Sequence, residues 1–248
     1  MLQRYKITIE YDGTDYVGFQ KQTDIIKKSI EEVLEKAIFQ IAQEEVKIFA
    51  SGRTDAGVHA LGQVVHFDLQ KKFKNHQIVF GLNNYLRDEN VTILRCELVD
   101  QNFHARFDAK MRHYRYLLVN RPTFLALQKN RAWQIGNKLD VLAMKKAAEF
   151  LIGKHDFSSF RDAECQASSP IRSIEEIKIK KSGDQILIEI SAKSFLHHMA
   201  RNIVGTLVFV GLKKFTADQI KEILAARDRT KSGPNAPACG LYFLKVDY

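Results

Sequence analysis

Ser51-Gly52-Arg53-Thr54-Asp55-Ala56-Gly57-Val58-His59-Ala60 gathers two glycines, an arginine, a carboxylate and an imidazole into one polar stretch. Such a segment could cradle a phosphate, although the Walker ending Gly-Lys-Ser/Thr is absent. It could equally be a turn in which Gly52 and Gly57 supply positive φ and Asp55 bonds nearby amides. The local pattern leaves both open. His197 and His198 are adjacent, cannot share one helix face and belong to no His-Glu-x-x-His pattern, so no metal site is expected there. Cys96, Cys165 and Cys239 are too dispersed for a zinc ribbon or a redox pair. Lys71-Lys72-Phe73-Lys74 and Arg227-Asp228-Arg229-Thr230-Lys231 could follow a polyanion or simply be solvated faces.

The polar stretch must be held by the elements around it. Tyr5, Ile7, Ile9 and Tyr11 alternate with polar residues up to Asp12-Gly13, which predicts a half-buried strand closed by a turn. Ser29 with Glu32 predicts a capping box, and Ile30, Val33, Leu34, Ala37, Ile38 and Ile41 then share one helix face. Val46, Ile48 and Ala50 alternate again before the polar stretch, and Gln63 to Leu69 resumes as a strand. The stretch is therefore expected as a loop between two strands. A helix near Asn75 to Leu86 and a strand from Val91 to Leu98 complete a first half, residues 1–105. The second half, 106–248, reads as a strand Arg112 to Val119, a helix Val141 to Ile152 stopped by Gly153, and a hairpin of Glu176 to Lys180 with Gln185 to Ser191. A helix from about His197 to Val210, another opened by Thr216 and Gln219, and a strand Leu241 to Val246 follow. Hairpin connections of this kind predict a largely antiparallel α+β protein rather than a doubly wound sheet.

The 248 residues carry 38 Lys+Arg against 29 Asp+Glu, a formal charge of +9 that favours polyanionic partners without identifying one. Composition excludes disordered, collagen-like and disulfide-scaffold classes. The N-terminus enters a strand pattern directly, with no apolar leader, and the longest weakly charged apolar stretch, Ile203 to Leu212, is half of the roughly 20 residues a membrane span needs. A cytoplasmic protein in a reducing compartment, with no membrane association, is the expectation.

Gly52-Arg53-Thr54-Asp55-Ala56-Gly57-Val58-His59 resembles the catalytic segment of the TruA family of tRNA pseudouridine synthases. Further blocks fall in that family's order: Tyr11-Asp12-Gly13 with Gly18-Phe19-Gln20-Lys21-Gln22, Phe103-His104-Ala105-Arg106-Phe107, Arg112-His113-Tyr114-Arg115-Tyr116 and Asp156-Phe157-Ser158-Ser159-Phe160-Arg161. Phe195-Leu196-His197-His198-Met199-Ala200-Arg201-Asn202-Ile203-Val204-Gly205 and Ala236-Pro237-Ala238-Cys239-Gly240-Leu241 complete the set. The resemblance implies the pseudouridine synthase fold, an α+β arrangement of two related halves whose mostly antiparallel sheets join across a basic catalytic cleft, working as a homodimer. It implies conversion of uridine to pseudouridine at positions 38, 39 and 40 of the tRNA anticodon stem-loop, with no cofactor and no metal.

By the same resemblance Asp55 is the catalytic nucleophile, able to trap an intermediate at C1′ or C6. Arg201 is its guanidinium partner, and Tyr114 stacks on uracil and assists proton loss from C5. Arg53 is the side chain that occupies the space left by a flipped base, and His59 contacts RNA phosphate or packs. Tyr116 is expected in the core. Two departures from the family pattern, Cys165-Gln166-Ala167-Ser168-Ser169-Pro170 and the short segment between Gln22 and Ser29, bear on RNA contact rather than on chemistry. A binding module without catalysis has no use for the complete Asp, Tyr and Arg set. An Asp-dependent glycosidase or nuclease lacks a second carboxylate on the loop and a metal cluster.

Overall fold

The computed structural model describes residues 2–22 and 27–248, so most of the short segment between Gln22 and Ser29 lies outside the described residues. The chain forms two compact units, Met1–Lys110 together with Tyr242–Tyr248, and Met111–Leu241. The sequence division at 105 and 106 differs from these bounds chiefly at the C-terminus. There the last residues pair with a strand of the first unit.

In the first unit, β1 (Gln3–Tyr11) lies antiparallel between β3 (His59–Leu69) and β4 (Val91–Val99). β2 (Phe49–Ala50) pairs with β3 at Phe49↔His66 and Ala50↔Val65, and β10 (Leu241–Asp247) runs parallel to β3 at Tyr242↔His59 and Phe243↔Ala60. Tyr5, Ile7, Ile9 and Tyr11 all point into the core, as their alternation predicts. Helix α1 (Ile30–Ala42) begins where Ser29 accepts the Glu32 amide and buries Ile30, Val33, Leu34, Ala37 and Ile38; Ile41 is only partly covered. Each fully buried Leu or Ile contributes about 1.5–3 kcal/mol. Helix α2 (Asn75–Tyr85) follows.

The strand expected through Val46 and Ile48 shrinks to Phe49–Ala50. The Ile48 amide is turned instead to the Glu35 carboxylate of α1, at 3.4 Å, and takes no place in a ladder.

The second unit is built on β5 (Met111–Asn120), β8 (Ile171–Ser182) and β9 (Gln185–Ala192), with β9 antiparallel to both neighbours. β7 (Gly153–Asp156) is antiparallel to β8, and β6 (Trp133–Ile135) is parallel to β5. Ser182 pairs with Gln185 across Gly183, whose φ is +58, which closes the predicted hairpin. Helix α3 (Val141–Glu149) ends three residues short of the expected Ile152. Phe150, Leu151 and Ile152 each bond three residues back, so the chain tightens before Gly153, at φ +99, starts β7. Helix α4 (Met199–Gly211) starts two residues after the expected His197 because His198 is left-handed, φ +59. Thr216 and Gln219 make the reciprocal bonds of a capping box, 2.8 and 3.3 Å, ahead of α5 (Gln219–Ala226). The architecture is α+β with mostly antiparallel sheets, as the hairpin pattern indicates.

Candidate active site

The 51–58 segment, ahead of β3, is a loop braced from three directions. From the first, Gly18 forms an antiparallel bridge to Asp55, and Phe19 N–H donates to the Thr54 carbonyl at 3.0 Å. Gly18 has φ +114, and a Cβ there would lie 2.7 Å from the Thr54 carbonyl oxygen, so only glycine permits this approach. Gly13 presses as closely on Val58, where a Cβ would fall 2.0 Å from the carbonyl oxygen. From the second, Tyr11 and Thr54 share a buried hydrogen bond of 2.8 Å, and burial raises the Tyr11 phenol well above its ordinary pKa. From the third, the fully buried Gln63 donates to the Gly52 carbonyl at 2.6 Å while its oxygen meets the Ser51 hydroxyl and the Val64 amide. Val58 N–H closes on the Asp55 carbonyl at 3.2 Å, with Gly57 at φ +75 between them. Asp55 is thereby fixed in backbone and half-buried in side chain, and Arg53 is exposed.

His59 is buried, stacked 4.7 Å from Tyr242. Its Nδ1 is 3.1 Å from both the Gly13 amide and an Asp12 carboxylate oxygen. One ring nitrogen cannot accept and donate together, and the amide can only donate, so Nδ1 is the acceptor. The same Asp12 oxygen takes the Thr14 amide and hydroxyl, at 3.0 and 2.5 Å.

In the second unit Tyr114 stands on β5 opposite Ile190, 9% exposed, with its ring edge-on to Phe195 at 4.9 Å. Tyr116, two residues along the same face, is core as expected. Its hydroxyl donates to the Pro237 carbonyl at 2.7 Å, and a Cβ at Gly240 would lie 2.5 Å from its ring. Arg201 sits in the first turn of α4, where its Nε donates to the Ala236 carbonyl at 2.7 Å and its own carbonyl accepts the Ala236 amide at 3.3 Å. The backbone bond ties the 236 segment to α4 and the Nε bond orients the guanidinium, whose terminal nitrogens form the fork suited to carboxylate or phosphate. The chain ahead of Ala236 is held in turn, since Gly233 N–H donates to Thr206 and Arg229 donates to Ser232, to the Gly233 carbonyl and to Asn202.

Sequence reading overlooked two further groups. Asn202, fully buried, donates to the Phe160 carbonyl at 2.9 Å and accepts from Arg229. A lone amide inside the apolar run of α4 was the available signal. His198 Nδ1 lies 2.6 Å from an Asp162 oxygen, while the Asp162 amide donates to the His197 carbonyl. The Glu164 amide, then His198, hold the Asp162 carboxyl below the usual range. Among the described residues, neither unit by itself gathers three His, Cys, Asp or Glu ligand atoms.

The sequence matches the tRNA pseudouridine synthase family over residues 7–108 and again over 147–248. It is similar to tRNA pseudouridine synthase A of Ehrlichia canis (strain Jake), 49% identical over 245 residues, covering 99% of this chain and 100% of that protein. The protein of that name in Ehrlichia chaffeensis matches with the same identity and coverage.

Proposed function

Because the chain belongs to the tRNA pseudouridine synthase family, isomerases acting on uridine in tRNA, we propose that it forms pseudouridine at positions 38, 39 and 40 of the anticodon stem-loop with Asp55 as nucleophile. The N1–C1′ bond breaks, the base turns, and C5 joins C1′; the C5 proton leaves to water and N1 takes one up, so nothing else is consumed. Asp55 traps the intermediate at C1′ or C6. Arg201 is the guanidinium partner that favours the charged carboxylate, and Tyr114 stacks on uracil and assists loss of the C5 proton. The target uridine is flipped from its stack, and Arg53, exposed beside Asp55, takes the vacated space. For His59, burial and the bond from Gly13 favour a packing role over a phosphate contact. The enzyme acts as a cytoplasmic homodimer without a small-molecule cofactor.

The observation that carries this reading is the loop around Asp55. A half-buried carboxylate is held there by close glycine contacts and a buried amide, in a chain aligned over its length with synthases of this name. The test is tritium release from an unmodified tRNA transcript carrying 5-[³H]uridine in its anticodon arm. Release by the wild type and none by Asp55→Ala, with tRNA binding retained, is expected. Turnover by Asp55→Ala overturns the nucleophile, and silence from both proteins on RNA that they bind favours a binding module.

A further inference from the structure

We propose that a cleft of about 300 Å³ in the second unit, lined by Ser158, Arg161, Asp162, Arg227, Asp228 and Arg229, seats a backbone phosphate of the RNA substrate. The inference rests on the RNA reading above and adds a subsite to it.

Three arginines line one small cleft, and they differ in how their charge is employed. Arg229 is half-buried, and its hydrogen-bond acceptors are all neutral: the Ser232 hydroxyl at 2.8 Å, the Gly233 carbonyl at 2.9 Å and the Asn202 amide oxygen at 2.9 Å. Those bonds fix its position without cancelling its charge. Arg227 is the left-handed residue ending α5, φ +50, with a side chain 70% exposed and its Nε 3.2 Å from Asp156. Arg161 follows the single helical turn Ser158–Phe160 and, among the described residues, its half-buried side chain makes no hydrogen bond or ion pair. Leaving a guanidinium partly desolvated and unpaired costs free energy that an anionic ligand would return.

The two carboxylates of the lining are turned to local donors. Asp162 meets His198 through one oxygen and the Glu164 amide through the other, and Asp228 accepts the Thr230 amide and hydroxyl. Asp156 holds Arg227 through Nε and also feels the charge of Arg161, so the terminal nitrogens of these two arginines are what a phosphate would meet over the fixed Arg229, in the forked geometry that suits phosphate oxygens. Arg229 also bonds Asn202, the residue after Arg201 in α4, so one wall of the cleft is tied to the helix that carries Arg201. On the RNA reading above, the occupant is a phosphate of the bound RNA rather than free phosphate.

The experiment measures the affinity of a fluorescent tRNA transcript against salt for the wild type, Arg161→Gln, Arg227→Gln and Arg161→Lys, with tritium release at saturating tRNA alongside. Each phosphate contact contributes about 0.9 to the slope of log K against log salt. The slope is expected to fall by about 1 in each Gln variant and to hold in Arg161→Lys, with the saturating rate within about twofold of wild type. An unchanged slope in both Gln variants overturns the subsite, as does a slope that falls equally in Arg161→Lys. Competition by inorganic phosphate with no slope change for tRNA identifies an ion site only and also overturns it. A wild type that binds tRNA without releasing tritium overturns the isomerase reading instead, a result the slope comparison does not produce.

Discussion

A Cβ at Gly205 would lie 1.8 Å from the Pro234 carbonyl oxygen, and Ala236, two residues beyond Pro234, is where Arg201 is anchored. Gly205→Ala must therefore push the 233–236 segment off α4. Overpacking of this kind costs about 1–3 kcal/mol, seen as a lower urea midpoint. A misplacement of about 1 Å at a catalytic group can cost on the order of 100-fold, so, with Arg201 in its proposed role, tritium release should fall far more than the lost stability explains. A variant with a lower midpoint and wild-type turnover would remove Ala236 from the account of Arg201. His66 shows what burial does to a titrating residue. It is 1% exposed, accepts the Ala105 amide at Nδ1, and is pushed from 6.5 down to about 4, by burial first and then by the charges of Arg4 and His104. Between those values the unfolded chain binds a proton that the folded chain does not, so stability is whole above pH 6.5 and declines as the pH falls toward 4. Urea midpoints across that window should drop less steeply in His66→Gln than in the wild type.

At the scale of elements, α1 does more than fill the core. Ser29 caps the Glu32 amide, and the next free donors, Ile30 and Glu31 N–H, reach the carbonyls of Gly18 and Phe19 at 3.1 and 2.9 Å. The segment that bridges to Thr54 and Asp55 is thus hung from a helix N-terminus. Ser29→Ala should cost about 1 kcal/mol by urea unfolding. It should also speed hydrogen exchange at the Phe19 amide, which bonds Thr54; unchanged exchange there would uncouple the cap from the loop. The Ser29 cap, the Thr216–Gln219 capping box and the Gly183 turn were legible in the sequence because their partners lie within a few residues of each other, although the Glu32 carboxylate goes to Lys36. Val46 to Ile48 was not, because the Ile48 amide is claimed by Glu35, thirteen positions away. The end of α3 was misplaced for a related reason. Its apolar spacing persists to Leu151, which is buried, while the hydrogen bonds have already tightened.

For the whole molecule, a homodimer should scatter light with twice the chain mass of 28.5 kDa, and a value near 28.5 kDa would contradict the proposed assembly. Length, charge, alternation and capping were enough to determine an α+β chain with antiparallel hairpins, and the ordered motif blocks were enough to indicate the family, from which the proposed roles of Asp55, Tyr114 and Arg201 follow. Those features depend on neighbours in sequence, where backbone bonding and side-chain period leave few choices. Only the tertiary structure decided that Gly13 and Gly18 are pressed against Val58 and Thr54, that Gln63 braces Gly52, and that His59 is walled in by Tyr242. It likewise decided that residues 242–248 belong with the first unit. Each of these joins positions remote in the chain or turns on backbones meeting closer than any Cβ allows, and such contacts are set by the folded path rather than by a local pattern.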